Sequence, residues 1–417
     1  MNVAVIGAGA AGLMAAKYAL DAGAHVTLIE KNEKAGKKIY ITGKGRCNLT
    51  NACDRDELNK NLVRNPKFLY SSLSLLDNYG IMRAFEEMGV KLKVERGQRV
   101  FPESDHASDI TRALERDILS KGAKILYNTR AEGLCVTDSI CRGVNTGGNT
   151  LPFDRVILAS GGLSYPSTGS NGEGHKFLQE AGHSITALRP ALTPVETREN
   201  WVSELMGLSL KNVNLSAYGI VKGKRKKIHS ETGEMLFTHF GVSGPLVLTL
   251  SSLLGDDVEG TELYIDLKPA LSEEQLDARM LRDFSQMPNR QLISFMDTLE
   301  PHALGEMLLK LSGVSPYKQI NAVTAEERRR IGHLVKNLPL TVKGLRGFDE
   351  AIITRGGVNV KEIDPKTLQS KLVKNLYVAG ELLDVDALTG GFNLTIAFAT
   401  GALAGRSAAI LDTDEAI

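Results

Sequence analysis

Cysteine is scarce in this chain. Four occur in 417 residues, Cys47, Cys53, Cys135 and Cys141, and none forms a Cys-x-x-Cys pair or a zinc-ligand spacing. Neither a disulfide framework nor a metal site is expected, and a reduced, cytoplasmic protein is. Charge of one sign is missing too. The formal net charge is +1, so composition supplies no global attraction to nucleic acid or to a membrane surface. No uncharged run reaches the roughly 20 residues that span a bilayer. The apolar start Val3 to Ile6 is too short for a signal peptide and runs straight into glycine. Low-complexity segments and internal repeats are absent. What remains is a globular composition, 42% hydrophobic and 24% charged, in a chain long enough for two or three packed units.

Glycine is abundant, with 41 residues, and many follow apolar runs. The first case is the most informative. Val3-Ala-Val-Ile6 reads as a buried parallel strand. Gly7-Ala8-Gly9-Ala10-Ala11-Gly12 follows as G-x-G-x-x-G, then helix formers to about residue 22, then the strand His25 to Glu30. Gly7 permits a tight turn, Gly9 lets backbone approach a pyrophosphate, and Gly12 lets helix and strand pack closely. The helix start at Ala10 and Ala11 offers unpaired N–H groups to phosphate. Glu30 lies 18 residues past Gly12, where a carboxylate accepts from a ribose diol. Lys31 beside it joins the candidate contacts.

The other end of the chain decides between dinucleotides. Leu376 to Ala379 reads as a buried strand ending on Gly380-Glu381. A loop with Asp384 and Asp386 leads to Gly390-Gly391, and a helix runs from there through about Leu403. This is the way flavoproteins with two dinucleotide folds close their site. The helix start at Gly391, Phe392, Asn393 and Leu394 would point its positive end at a flavin ring. Val156 to Leu158 with Ala159-Ser160-Gly161-Gly162 reads as a third strand and turn against the cofactor, with Tyr165 near the ring face or fixing the turn. Lys124 to Ala131 reads as the strand whose end meets adenine. No second G-x-G-x-x-G follows a strand. Gly169 to Gly174 reads as a loop, so NAD(P)H is expected only as a transient reductant.

Residues 36–51, Gly-Lys-Lys-Ile-Tyr-Ile-Thr-Gly-Lys-Gly-Arg-Cys-Asn-Leu-Thr-Asn, carry a more specific signal. With Arg99 to Ser104, Ala159 to Pro166, Met235 to Pro245, Thr354 to Gly357 and Gly380 to Leu394, they make the chain closely resemble the BaiN-like (YhiN-like) flavoproteins over essentially its whole length. Ser160 departs from the Thr more common there and keeps the hydroxyl. The resemblance implies FAD and an insert that combines a small β-barrel with a helical piece. It implies one of several activities: uridine reduction in ribosomal RNA, reduction of 3-oxo-Δ4 bile acids, or amine oxidation.

The expected fold class is α/β: a two-dinucleotide-binding-type FAD fold, Rossmann-like and three-layered, with an inserted β-barrel plus helical subdomain. The expected boundaries are 1–190 and 341–417 for the discontinuous FAD domain, 191–270 for the barrel and 271–340 for the helices. Lys38, Gly45, Arg46, Cys47, Asn48, Thr50, Glu381 and Asp386 complete the candidate cofactor contacts, with Arg46 and Lys44 available to neutralise pyrophosphate or reduced flavin. Two residues are candidate catalytic acids. Cys47 can protonate an α-carbon if the thiol sits beside substrate, or be a small packing residue. His239 can bind or protonate a carbonyl, or be a structural histidine bonded to backbone. Lys222-Gly-Lys-Arg-Lys-Lys227 reads as a hairpin tip that is solvated or meets RNA phosphates. The insert as a whole is slightly more acidic than basic. Ribosomal RNA or a small enone is the expected partner, with no membrane and no metal.

Overall fold

Val3-Ala-Val-Ile6 has no polar side chain to hold it at a surface, and in the computed structural model it lies inside a parallel sheet. The structure describes residues 1–255 and 257–410. The sheet has five strands in the order Leu376–Val378, Arg155–Leu158, Asn2–Ile6, His25–Ile29, Lys124–Leu126, all parallel. Numbered along the chain this is the 3-2-1-4-5 order of a doubly wound Rossmann-type sheet, read from the opposite edge. The order reverses between Asn2–Ile6 and Arg155–Leu158. Ligands of such sheets bind at that switch, beyond the carboxyl ends of the strands.

The two ends of the chain meet through small residues. Helix Ala10–Asp21 packs on helix Phe392–Ala409. A Cβ added at Gly401 would lie 2.2 Å from the Ala11 carbonyl oxygen, and one at Gly405 would lie 2.1 Å from that of Ala15. The backbones therefore approach as closely as glycine allows. Leu13 and Met14 of the first helix are fully buried, each contributing about 1.5–3 kcal/mol of apolar transfer.

The chain forms two compact units, Met1–Ala191 with Phe348–Ile417, and Leu192–Gly347. At the first unit's margin the outgoing strand Arg189–Ala191 pairs with the returning strand Ile353–Arg355. The second unit is a closed six-stranded antiparallel barrel: Val195–Thr197, Gly241–Ser243, Lys224–Phe237, Ser209–Val221, Glu262–Asp266 and Leu338–Leu345. Four helices, Glu273–Gln286, Leu292–Leu299, His302–Ser312 and Ala325–Lys336, lie between the last two strands in sequence. Ser272 and Thr324 start the first and last of these with reciprocal capping boxes.

The structure corrects the expected boundaries. The cut at 340/341 falls inside the strand Leu338–Leu345, which closes the barrel on Val195–Thr197. The cut at 270/271 separates nothing, because barrel and helices share one apolar core, from Val195 through Phe295 to Val342. Gly174 is also not in a loop. It lies in helix Glu173–Glu180, where a Cβ would come within 2.2 Å of the Ser160 hydroxyl oxygen.

Candidate functional site

The site grows from the turn after the first strand. Gly7 adopts φ +98°, and a Cβ there would sit 2.7 Å from the Ala159 oxygen; a Cβ at Gly12 would sit 1.8 Å from the Gly7 oxygen. Both glycines are required by close backbone approach. Gly9 differs, since a Cβ there meets nothing within 4 Å. Gly9 caps helix Ala10–Asp21 with no side-chain hydrogen bond and no acid in the first turn. The helix thus presents N–H groups and the positive end of its dipole. Glu30 braces this turn. Its buried carboxylate accepts from the Ala8 N–H at 2.8 Å and from the Asn32 backbone and side chain at 2.8 and 2.7 Å. A carboxylate has about four acceptor positions, so one remains for a further hydroxyl.

A second group of residues ties four distant segments together. Lys38 Nζ donates to Glu381 at 2.7 Å. The other Glu381 oxygen accepts from the Thr354 N–H at 2.6 Å. The Thr354 hydroxyl then accepts from the N–H groups of Leu163 and Ser164 at 2.7 and 3.1 Å. The Ser160-Gly161-Gly162 turn is therefore fixed by a residue almost two hundred positions later. Gly380 packs on Ala11, and its N–H donates to Thr400 at 3.0 Å. Lys31 is paired with Glu173 at 2.8 Å. Tyr165 sits in the left-handed region at φ +54°, and its N–H donates to the Phe348 oxygen. Ala131 is buried in the core.

The last helix starts without a side-chain cap at Gly391, whose Cβ would lie 2.5 Å from the Thr50 oxygen. Asn393 latches the preceding loop. It accepts from the Ala387 N–H at 3.0 Å and donates to the Ala387 carbonyl at 2.8 Å. Asn51 donates to the Gly390 oxygen. Phe392 is buried and Leu394 partly so.

Several candidates hold other roles than those expected. Arg46 is not a free phosphate cation: it pairs with Asp105 at 2.7 Å and with Glu95, and its guanidinium lies over the Phe101 ring. Thr50 is fully buried and bonds Thr395 at 2.7 Å, holding the last helix rather than facing a ligand. Cys47 is fully buried, and burial pushes its thiol up to about 12. That thiol is packing and too weak an acid to serve as a ready proton donor. His239, in the other unit, is exposed, with its ring against Phe240 and no backbone hydrogen bond among the described residues. It is not the backbone-bonded structural histidine. Gly45 and Lys44 lie in an exposed turn.

The sequence candidate Asp386 belongs to a buried charge cluster that the local sequence does not reveal. Asp384 pairs with Arg64 at 2.9 Å. Asp386, on a short strand paired with Leu62–Arg64, is 2% exposed. Burial pushes its carboxyl up to about 6, with Asp384 adding and Arg355 and Arg64 opposing. One Asp386 oxygen has no hydrogen-bond partner, and the same holds for the Ser160 hydroxyl and the Asn48 carbonyl oxygen. His175, missed in the sequence, is buried beside Glu381 and held neutral, its pKa lowered to about 4. No His/Cys/Asp/Glu group suited to a metal occurs among the described residues.

Residues 1–407 match the HI0933-like protein Rossmann domain family. The chain belongs to that family. A relative from Clostridium scindens (strain ATCC 35704 / DSM 5676 / VPI 13733 / 19), a 3-dehydro-bile acid delta(4,6)-reductase, is 32% identical, covering 98% of this chain and 99% of its own. A ribosomal RNA dihydrouridine synthase from Escherichia coli (strain K12) is 28% identical over 95% of both chains. Among solved structures, 3-ketosteroid delta1-dehydrogenase from Sterolibacterium denitrificans superposes with a TM-score of 0.51 at 13% identity, covering 98% of this chain and 99% of its own, a likeness of fold. This family member is an FAD-dependent oxidoreductase. The residues present fit such a cofactor: open space at Gly9 before an uncapped helix, a free acceptor on Glu30, and orphaned polar atoms on Ser160 and Asn48. Among the described residues no helix is long and apolar enough to cross a membrane.

Proposed function

We propose that this oxidoreductase saturates a C=C bond conjugated with a carbonyl, and that its substrate is uridine in large-subunit (23S) ribosomal RNA, giving dihydrouridine. The observation that carries this reading is the similarity, over at least 95% of this chain, to relatives named as a dihydrouridine synthase and as a bile acid delta(4,6)-reductase. Both names describe saturation of such a bond. A second dihydrouridine synthase, from Haemophilus influenzae (strain ATCC 51907 / DSM 11121 / KW20 / Rd), is 30% identical over 95% of both chains. The steroid-type enone is the second reading, favoured by the 32% identity of the bile acid reductase.

When bound, FAD would supply hydride chemistry for the β-carbon, with NAD(P)H as the transient source of reducing equivalents. The Gly9, Ala10 and Ala11 backbone would hold the pyrophosphate, and Glu30 a ribose hydroxyl. Ser160 to Gly162, Gly380, Glu381 and the Gly391 helix start frame the remainder. Asp386 supplies the proton. Its carboxyl gives H⁺ to the α-carbon as the C=C bond opens, becomes carboxylate facing Arg64 and Arg355, and is reprotonated from solvent. A general acid works best with a pKa near the working pH, which Asp386 has and Cys47 lacks. For RNA the target base must leave its stack.

The test is twofold. Dihydrouridine in large-subunit ribosomal RNA from a deletion strain should be lost and be restored by the wild-type chain. In stopped flow, the dithionite-reduced enzyme should be reoxidised by unmodified ribosomal RNA faster than by a 3-oxo-Δ4 bile acid or by O2. Unchanged dihydrouridine together with rapid reoxidation by the bile acid assigns the second reading. Rapid reoxidation by O2 alone, with peroxide, assigns an oxidase.

A further inference from the structure

The barrel's longest hairpin carries a patch that the flavin chemistry does not use. Strands Ser209–Val221 and Lys224–Phe237 pair in register from Ser209↔Leu236 to Val221↔Lys224. Lys222 at φ +53° and Gly223 at φ +74° make a two-residue turn with both positions left-handed, which matches strand twist. The neighbouring strand Glu262–Asp266 pairs only as far as Tyr218, and Gly241–Ser243 only at Leu236 and Phe237. Residues 219–227 therefore project as a two-stranded ribbon beyond the barrel wall.

Five of the six residues 222–227 are basic. Side chains alternate between faces. Register puts Arg225 opposite Ile220 and Lys227 opposite Tyr218 on one face, and Lys224 opposite Val221 and Lys226 opposite Gly219 on the other. Arg225 is neutralised by Glu262 at 2.6 Å and lies 4.3 Å from the Tyr218 ring centroid. Lys222, Lys224, Lys226 and Lys227 are exposed and have no carboxylate partner among the described residues. Ile220 is 73% exposed at the same tip. Four uncompensated ammonium groups on both faces of a narrow ribbon, beside a cation-covered tyrosine ring, repel one another unless a dense anion lies between them. The rest of this unit is not basic, so the charge is local.

We propose that this hairpin is an arm that binds the phosphate backbone of structured ribosomal RNA. The inference rests on the RNA reading above. A ribbon flanked by closely spaced phosphates gains from all four lysines at once, whereas a small enone gains from none. Backbone contacts of this kind set affinity and register without reading sequence.

The test replaces Lys222, Lys224, Lys226 and Lys227 together by Gln, and in a second protein together by Arg. Binding of unmodified large-subunit ribosomal RNA is followed by fluorescence anisotropy across a salt series, with FAD absorbance and thermal melting confirming intact holoenzyme. The Gln protein should bind at least ~10-fold more weakly near 0.1 M salt, and its slope of log affinity against log salt should shrink by about 3, as four lost phosphate contacts require. The Arg protein should match wild type. An unchanged slope in the Gln protein overturns the arm. So does acidic polypeptide displacing RNA more effectively than RNA of equal charge, which assigns the patch to a protein partner. If wild type makes dihydrouridine and the Gln protein makes it with the same KM, the arm falls and the proposed reaction stands. If wild type leaves the RNA unmodified, both fall.

Discussion

Two helices of the barrel unit and two of the flavin unit begin in opposite ways. In the barrel unit, Ser272 and Thr324 close reciprocal capping boxes, with acids in the first turns of both helices. In the flavin unit, the helices starting at Ala10 and Phe392 begin from Gly9 and Gly391, with no side-chain cap and no acid. Two other helices of that unit are capped normally, by Asp54 and Asp77, so the difference is not a habit of the unit. A capped helix satisfies its own N–H groups and gains about 1 kcal/mol. An uncapped start facing the switch point of a parallel sheet leaves those groups for an anion. Three barrel-unit helices, starting at Pro245, Leu292 and His302, also lack a side-chain cap and an acid, so an open start serves a cofactor only where glycine backbone at a parallel sheet's strand ends accompanies it.

Four substitutions break or sharpen it. Asp386→Asn removes the proposed proton donor without altering side-chain shape. It should lower the rate of flavin reoxidation by substrate about 10²–10⁴-fold in stopped flow while FAD stays bound. The same variant tests linkage. The folded-state carboxyl is raised, so its contribution to stability is present below about pH 4 and is lost as pH rises through about 6. Wild type should therefore lose melting temperature relative to Asp386→Asn between about pH 4 and pH 6, with little further change above. Next, Gly12→Ala drives a Cβ into the Gly7 oxygen. FAD affinity by fluorescence titration should fall about 100-fold, or roughly 2.7 kcal/mol. At the small end, Ser272→Ala should cost about 1 kcal/mol in urea unfolding and leave FAD affinity unchanged. An effect of this change on FAD would blur the contrast between the two kinds of helix start. The fourth substitution, at Gly9, is taken last.

Much of the flavin unit was legible because its signals are local. Val3 to Gly12, the Gly380-Glu381 strand end and Gly390-Gly391 each declare their conformation within a few residues. Misreadings came where distance decides. Arg46 looks like a free cation until the fold brings Glu95 and Asp105 to it. Thr354 has no local signal for its role, since its hydrogen-bond partners lie near residues 163 and 381. Asp386 stands in sequence among the candidate cofactor contacts and becomes a proton-holding group chiefly through burial, which no local signal announces. The boundary near 340 misled because only pairing with distant strands shows that Leu338–Leu345 is one strand, with Pro339 opposite Tyr264 in the barrel. The glycines at 172 and 174 read as loop because helix rarely tolerates them. Here Gly172 caps a helix, and Gly174 allows close approach to Ser160.

Gly9→Ala tests the central claim most directly. Gly9 has an ordinary φ of −82°, and an added Cβ meets no protein atom within 4 Å. The apoprotein of this variant should melt within about 1 °C of wild type, since a strain-free surface change is within ±0.5 kcal/mol. Its FAD affinity should nevertheless fall at least about 10-fold, because the methyl group occupies the path of the pyrophosphate. An apoprotein of unchanged stability that binds FAD as tightly as wild type would contradict the account.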